Sequence, residues 1–230
     1  MREYIKDWSN ALGRDMEALR FGSSGLALLV FPTSMGRFYQ WEDFGMINAL
    51  RDKIDGGLIQ LFCVDSIDEQ SWYAKNRSAR DRVQWHLAYE RYILREFSAH
   101  FPHPPVTVGS SFGALHALLF VLRHPGRFNG FIGLSGAFDT RNWLDGYFDQ
   151  DVYYTNPIAF LPGLNDPRYL EPLRGMAKRV IATGAEDRNV DESIRVGTLL
   201  REKGVDVTLD IWPGWSHDWP YWMEMMNRYV

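Results

Sequence analysis

The segment Gly109-Ser110-Ser111-Phe112-Gly113 constrains this 230-residue chain more than any other. It follows the apolar run Val106-Thr107-Val108 directly and leads into a pattern with helical spacing. In that pattern Gly113, Ala114 and Ala117 are small, while Leu118, Leu119 and Leu122 supply bulk. G-x-S-x-G between a strand and a helix predicts a sharp turn with the serine at its apex. The backbone there is strained and the helix approaches the sheet closely, so only small neighbours fit. Ser111 would project into a cleft at the start of a helix, where the free amide of Phe112 can donate to a developing oxyanion. Ser110 lacks the offsets to the two glycines and reads as a packing residue. A serine at a helix start is also an ordinary N-cap, but the flanking glycines favour the nucleophile.

Around this turn, short apolar segments alternate with longer helical patterns. The strand candidates are Leu26 to Phe31, Leu58 to Val64, Val106 to Val108, Phe128 to Leu134, Val180 to Thr183 and Val205 to Trp212. Helices are predicted over Asp43 to Ile54, Ser78 to His100, Ser111 to His124, Asp191 to Lys203, and from about Trp219 onward. Residues 2 to 8 and 14 to 21 read as an antiparallel strand pair at one sheet edge. The alternation predicts an α/β fold with a mainly parallel central sheet and helices on both faces. Residues 1 to 230 are expected to form one domain. Between residues 138 and 177 the alternation breaks: Pro157, Pro162, Pro167 and Pro172 recur among aromatics. This irregular insertion is either a lid over the site or a packed excursion.

Composition narrows the partners. The net charge of -4 and the lack of a Lys/Arg run give no basic field for a phosphate backbone, so nucleic acid is not expected. The single cysteine, Cys63, cannot form an intrachain disulfide and reads as a buried strand residue. There is no signal-like N-terminal run and no apolar stretch long enough for a membrane span, and a cytoplasmic location is expected. No metal-ligand spacing, P-loop or dinucleotide fingerprint occurs, so neither metal nor cofactor is implied. The sequence leaves a homo-oligomer open. Nine tryptophans are available for core or pocket walls, with Trp72, Trp143 and Tyr147 as wall candidates.

A serine hydroxyl needs a base within hydrogen-bond reach. Of the six histidines, His217 suits that role. It follows the last strand across Pro213-Gly214-Trp215-Ser216, which places it at the carboxyl edge of the sheet beside the nucleophile turn. The acid should follow the strand after the insertion, before the histidine in chain order. Val180 to Thr183 is that strand, and Gly184-Ala185-Glu186-Asp187 follows it. Asp187 is the expected acid, with Glu186 and Asp191 as competitors, while Asp218 adjoins the base too closely to reach its Nδ1. A second oxyanion amide is expected from the loop Phe31-Pro32-Thr33-Ser34-Met35-Gly36-Arg37, from Ser34 or else Thr33.

With these residues in place, the chain resembles the putative esterase branch of the α/β-hydrolase superfamily, the esterase D-like serine esterases and the mycolyltransferases. The likeness is carried by residues 11 to 17, 31 to 38 and 109 to 114, by Leu134-Ser135-Gly136 and Asn156-Pro157, and by His217-Asp218-Trp219-Pro220. It implies Ser111, Asp187 and His217 as catalytic residues and the loop at Ser34 as oxyanion donor. The loop after the third strand departs from many lipases and esterases in lacking a His-Gly-Gly run. The implied activity is hydrolysis of small or short-chain esters through an acyl-enzyme. The alternatives are an acyltransferase or thioesterase with the same nucleophile, and a noncatalytic binding protein on the same fold.

Overall fold

The computed structural model describes residues 1–230. Its centre is an eight-stranded sheet in the order β1-β2-β4-β3-β5-β6-β7-β8. β1 (Arg2–Ser9) and β2 (Arg14–Phe21) form an antiparallel pair at one edge, and β2 also runs antiparallel to β4 (Ile59–Val64). All other pairings are parallel, through β3 (Leu26–Phe31), β5 (Val106–Ser110), β6 (Gly130–Leu134), β7 (Lys178–Gly184) and β8 (Thr208–Trp212).

The central strands read as unbroken apolar runs because both of their faces are covered. Ala27, Leu29, Phe31, Phe131 and Ile181 face one core. Leu28, Val30, Val106, Val108, Ile132, Leu134, Val180 and Ala182 face the other. The first core is closed by α1 (Ala79–Arg95), α2 (Phe112–Arg123), α3 (Pro167–Gly175) and α4 (Val190–Glu202). The second is closed by residues 40–55 and by α5 (Trp219–Tyr229). No helix is long and apolar enough to cross a membrane.

The strand and helix expectations hold with shifts at their ends, apart from two regions. The helix expected over Asp43 to Ile54 is three short turns, Gln40–Asp43, Met46–Ala49 and Arg51–Asp55, interrupted at Gly45 (φ 85°) and Leu50. Met46, Ile47, Leu50 and Ile54 are all buried nonetheless. The apolar spacing reports which side chains pack, not whether the hydrogen-bond ladder is continuous.

The insertion is largely a packing element. Ile158, Phe160, Leu161, Leu164, Leu170 and Leu173 join the core under α2 and α4. Its start is tied down by Glu192, whose carboxylate accepts the amides of Phe138 and Asp139. Only the strip around Trp143 and Tyr147 borders the nucleophile turn, packing against the cluster that contains Phe112.

The strand-to-helix turn depends on close backbone approach at both of its glycines. A Cβ on Gly109 would overlap the Gly113 backbone, and one on Gly113 would lie 2.5 Å from the Phe31 carbonyl oxygen. Gly113→Ala is therefore expected to lower stability by about 1–3 kcal/mol through overpacking. In a chain this long each kcal/mol is worth about 2–4 °C of thermal midpoint. Gly126→Ala, at a position with no atom within 4 Å of the added carbon, should leave the midpoint nearly unchanged. Equal midpoints for the two variants would remove the close-approach argument.

Candidate active site

Ser111 stands between the end of β5 and the first residue of α2, with φ 56° and ψ -122°. A non-glycine residue in this region carries strain of order 1–3 kcal/mol, so the surroundings must hold it there. Its N–H donates to the Leu134 carbonyl at 2.8 Å, and its own carbonyl accepts from Ala114 at 3.1 Å. Ser110 is fully buried with no partner for its hydroxyl, consistent with a packing role.

His217 comes from the β8–α5 loop and lies 2.9 Å through Nε2 from Ser111 Oγ. Its Nδ1 lies 3.0 Å from both carboxylate oxygens of Asp187 in the β7–α4 loop. The two loops are joined by backbone bonds from Glu186 to the Trp215 carbonyl and from Ala185 to the Trp212 carbonyl, both 2.9 Å. Gly184 permits this, since a Cβ there would overlap the Trp215 carbonyl. The imidazole is 14% exposed and the Asp187 carboxylate 0%, so the base is reachable while the acid is sealed.

The competing residues are elsewhere. Glu186 and Asp191 are exposed, and Asp218 caps α5 by accepting the Trp219 amide. His86 and His116 are buried against each other and against Trp72 and Phe112. His100 pairs with Asp7 and His124 with Glu90, while His103 meets the Gly25 carbonyl.

Burial opposes ionisation of Asp187, but hydrogen bonds from His217 and the Asn189 amide, aided by the Ser135 hydroxyl, outweigh it and hold its carboxyl below the usual value. The Ser135 hydroxyl is itself fixed, because it accepts the Trp222 indole N–H at 2.9 Å. The Trp222 ring packs edge to face with His217, centroids 4.9 Å apart. Ser135 and Trp222 are site residues that sequence reasoning did not single out. The signals for Ser135 are its place at the end of β6, next to the nucleophile strand, and its presence in Leu134-Ser135-Gly136, one of the stretches that carry the family resemblance; neither assigns it a partner.

Two amides near Ser111 lack a protein acceptor. Phe112 is the first residue of α2, so its N–H has no intrahelical partner. In the loop after β3, Thr33 N–H donates to Gln40, Met35 N–H to Asp68, and Gly36 N–H to the Thr33 carbonyl, which leaves the Ser34 N–H unpaired. Of the two expected donors, Ser34 is therefore available and Thr33 is not.

The expected pocket walls divide. Trp72 is fully buried beneath Phe112 and His86, and so belongs to the core. Trp143 is half-buried, its ring 4.8 Å from Phe112 and 6.1 Å from Tyr73, and Tyr147 lies at the rim of the same cluster. The buried Arg82 side chain pins this strip by donating to the Trp143 carbonyl and to Asp145.

No family model matches the chain, and no curated protein matches its sequence. Its likeness is to solved structures. A ferulic acid esterase superposes with a TM-score of 0.79 at 14% identity, covering 99% of this chain and 95% of that one. An S-formylglutathione hydrolase from Agrobacterium tumefaciens gives 0.74 at 14% identity, covering 99% and 92%. The fluorophosphonate-binding serine hydrolase F of Staphylococcus aureus gives 0.67 at 15% identity, covering 99% and 96%. The chain has the α/β-hydrolase fold.

The Asp187 environment gives a linkage test. A carboxyl depressed by native contacts contributes stability above its unfolded value, near 3.9, and that stability is lost as pH falls through the lower native value. Ser135→Ala removes a hydroxyl that favours the ionised Asp187 carboxylate, an effect of about 1 kcal/mol. The variant is expected to be less stable at pH 7, with a deficit that shrinks as pH falls through the depressed value. A pH-independent remainder would report the stranded Trp222 N–H. Urea midpoints of the two proteins from pH 7 downward check this, and a wholly constant difference would exclude Ser135 as a donor to the ionised acid.

Proposed function

We propose that this protein is a serine hydrolase of carboxylic esters, with Ser111 as nucleophile, His217 as base and Asp187 as the acid that orients it. The observation that carries this reading is the unbroken line from Ser111 Oγ to His217 Nε2 at 2.9 Å and from His217 Nδ1 to Asp187 at 3.0 Å. The two partnerless amides of Phe112 and Ser34 beside it suit an oxyanion.

In this reading Ser111 Oγ attacks the ester carbonyl carbon while its proton passes to His217 Nε2. Asp187 accepts the Nδ1–H and stabilises the imidazolium without taking the proton. The carbonyl oxygen becomes an oxyanion held by the N–H groups of Phe112 and Ser34. Collapse expels the alcohol, protonated by His217, and leaves Ser111 acylated. His217 then takes a proton from water, which attacks the acyl carbon, and returns it to Ser111 Oγ as the acid departs.

The likeness in fold to a ferulic acid esterase and to an S-formylglutathione hydrolase supports ester or thioester substrates. The half-buried Trp143 beside Phe112 supports a confined acyl site and hence small or short-chain esters. The test is a series of chromogenic esters of increasing acyl length, with a thioester arm, run on the wild-type protein and on Ser111→Ala. Turnover of short esters that vanishes in Ser111→Ala, with fluorophosphonate labelling lost in parallel, is the expected result. Turnover surviving in a folded Ser111→Ala protein would overturn the assignment.

The oxyanion assignment has its own test. Ser34 is the second residue of the turn Thr33–Gly36, and Met35 (φ 58°) is its third, the pattern of a type II turn, which accepts proline at the second position. Ser34→Pro is thus expected to keep the turn while deleting the N–H, lowering kcat about 10²–10³-fold. Ser34→Ala keeps the N–H and should stay within about tenfold of wild type, since it forfeits only an ordinary side-chain hydrogen bond. Similar kcat values for the two variants would remove Ser34 from the oxyanion site.

A further inference from the structure

The loop that carries Ser34 is held almost entirely by the segment following β4. Tyr73 donates its hydroxyl to Ser34 Oγ at 2.7 Å, and Asp68 Oδ2 accepts the Met35 amide at 2.7 Å. Ser66 donates to the Gly36 carbonyl at 2.7 Å, and Asp65 accepts from both the Arg37 guanidinium and the Phe38 amide. Positions 34 to 38 are each gripped by a side chain from residues 65 to 73.

Asp68 has the decisive place in this grip. It is 3% exposed, and its Oδ2 holds the N–H of Met35, an exposed residue in the left-handed region that favours glycine. In a turn with positive φ only at its third position, the central peptide is flipped relative to the commoner type I arrangement. The acceptor on the Met35 N–H is what selects that flip. The Gly36 N–H to Thr33 carbonyl bond closes the same turn at 2.9 Å. Because the peptide is planar and trans, fixing the Thr33 carbonyl on one side aims the Ser34 N–H to the other.

We propose that Asp68 is a positioning residue for ester hydrolysis: its buried carboxylate locks the Thr33–Gly36 turn so that the Ser34 N–H is aimed at the oxyanion. This rests on the reading of Ser111 and Ser34 given above. Asp68 does not touch substrate. Its effect falls on the step in which negative charge develops on the carbonyl oxygen, and so on kcat rather than on ester binding.

The test compares Asp68→Ala, which removes the acceptor, with Asp68→Asn, which keeps a side-chain oxygen for the Met35 N–H. Three quantities are read: kcat and KM for a short chromogenic ester, affinity for a trifluoromethyl ketone that forms a tetrahedral oxyanion on serine, and thermal midpoint. Asp68→Ala is expected to lower kcat about 10²-fold, near the loss of one oxyanion donor, and to weaken the ketone by a similar factor, with KM within about threefold. Asp68→Asn should recover kcat to within about tenfold of wild type. The proposal is overturned if Asp68→Ala keeps wild-type kcat, if Asn and Ala variants are equally impaired, or if ketone affinity is unchanged while the midpoint falls. Should Asp68→Ala fail to fold, Asp68→Asn alone decides: a more than hundredfold loss of kcat with an intact acceptor contradicts the role. A wild-type protein that neither turns over esters nor labels with fluorophosphonate would refute the hydrolase reading itself, an outcome distinct from any of these.

Discussion

The approach of α2 to the end of the sheet governs everything else at the site. Its first turn can sit against the Phe31 and Pro32 carbonyls only because residue 113 has no side chain, and Gly109 lets the chain double back on itself. That approach forces Ser111 into a strained conformation, and the strain lifts its hydroxyl out of the sheet. The restraint comes from α2, whose residues Phe112 to Leu122 are all buried. Relaxing the serine would require moving a helix embedded in the core, which costs far more than the strain. The same placement leaves the Phe112 amide unpaired at the serine, so the strained serine and the free amide beside it arise from one backbone constraint.

The base and acid are held by a different device. β7 and β8 deliver two loops to the same sheet edge, and backbone bonds between those loops fix their spacing. The Asp187 carboxylate is sealed from water, which alone would favour its neutral form. Hydrogen bonds from His217 and Asn189, aided by the Ser135 hydroxyl, reverse that preference. The ionised Asp187 carboxylate can therefore hold the Nδ1–H of His217, which leaves Nε2 facing Ser111 Oγ. Trp222 binds both halves of this arrangement, donating to Ser135 and packing its ring against His217.

Features decided locally or by chain order were legible in the sequence. The elbow is a local pattern, and the parallel order of strands placed Asp187 and His217 at the correct ends of β7 and β8 before any contact was known. What was not legible depends on long-range partners. Thr33 and Ser34 were indistinguishable in sequence, because what separates them is a bond from Thr33 N–H to Gln40 that leaves the Ser34 amide free. Trp72 and Trp143 carry the same composition signal, yet one is core and the other borders the site. Ser135 and Trp222 lie 87 residues apart and acquire meaning only once β6 and α5 are packed. The break at Gly45 was missed because burial of Met46, Ile47, Leu50 and Ile54 preserves helical spacing across a discontinuous backbone.

The free amides of Phe112 and Ser34 differ in what secures them. The Phe112 amide belongs to the buried α2, so its direction is set by the fold as a whole. The Ser34 amide belongs to a loop with an exposed, left-handed Met35, and its direction is set by side chains from residues 65 to 73. Those contacts bridge a partly solvated loop to a buried base: the Arg37 side chain is 42% exposed, and of its two partners Glu17 is partly exposed while Asp65 is 1% exposed, so screening by water weakens the Glu17 pair more than the Asp65 pair. The Asp68 carboxylate is likewise buried, while Met35, whose N–H it accepts, is 44% exposed; a hydrogen bond to a carboxylate is still worth more than one between neutral groups. The loop is thus fastened at its centre and at its far end by two buried carboxylates, Asp68 and Asp65, which the loop's own amide and guanidinium groups satisfy. That arrangement holds the peptide units flanking Ser34 through side chains brought in from another segment, whereas the Phe112 amide can move only if the buried α2 moves.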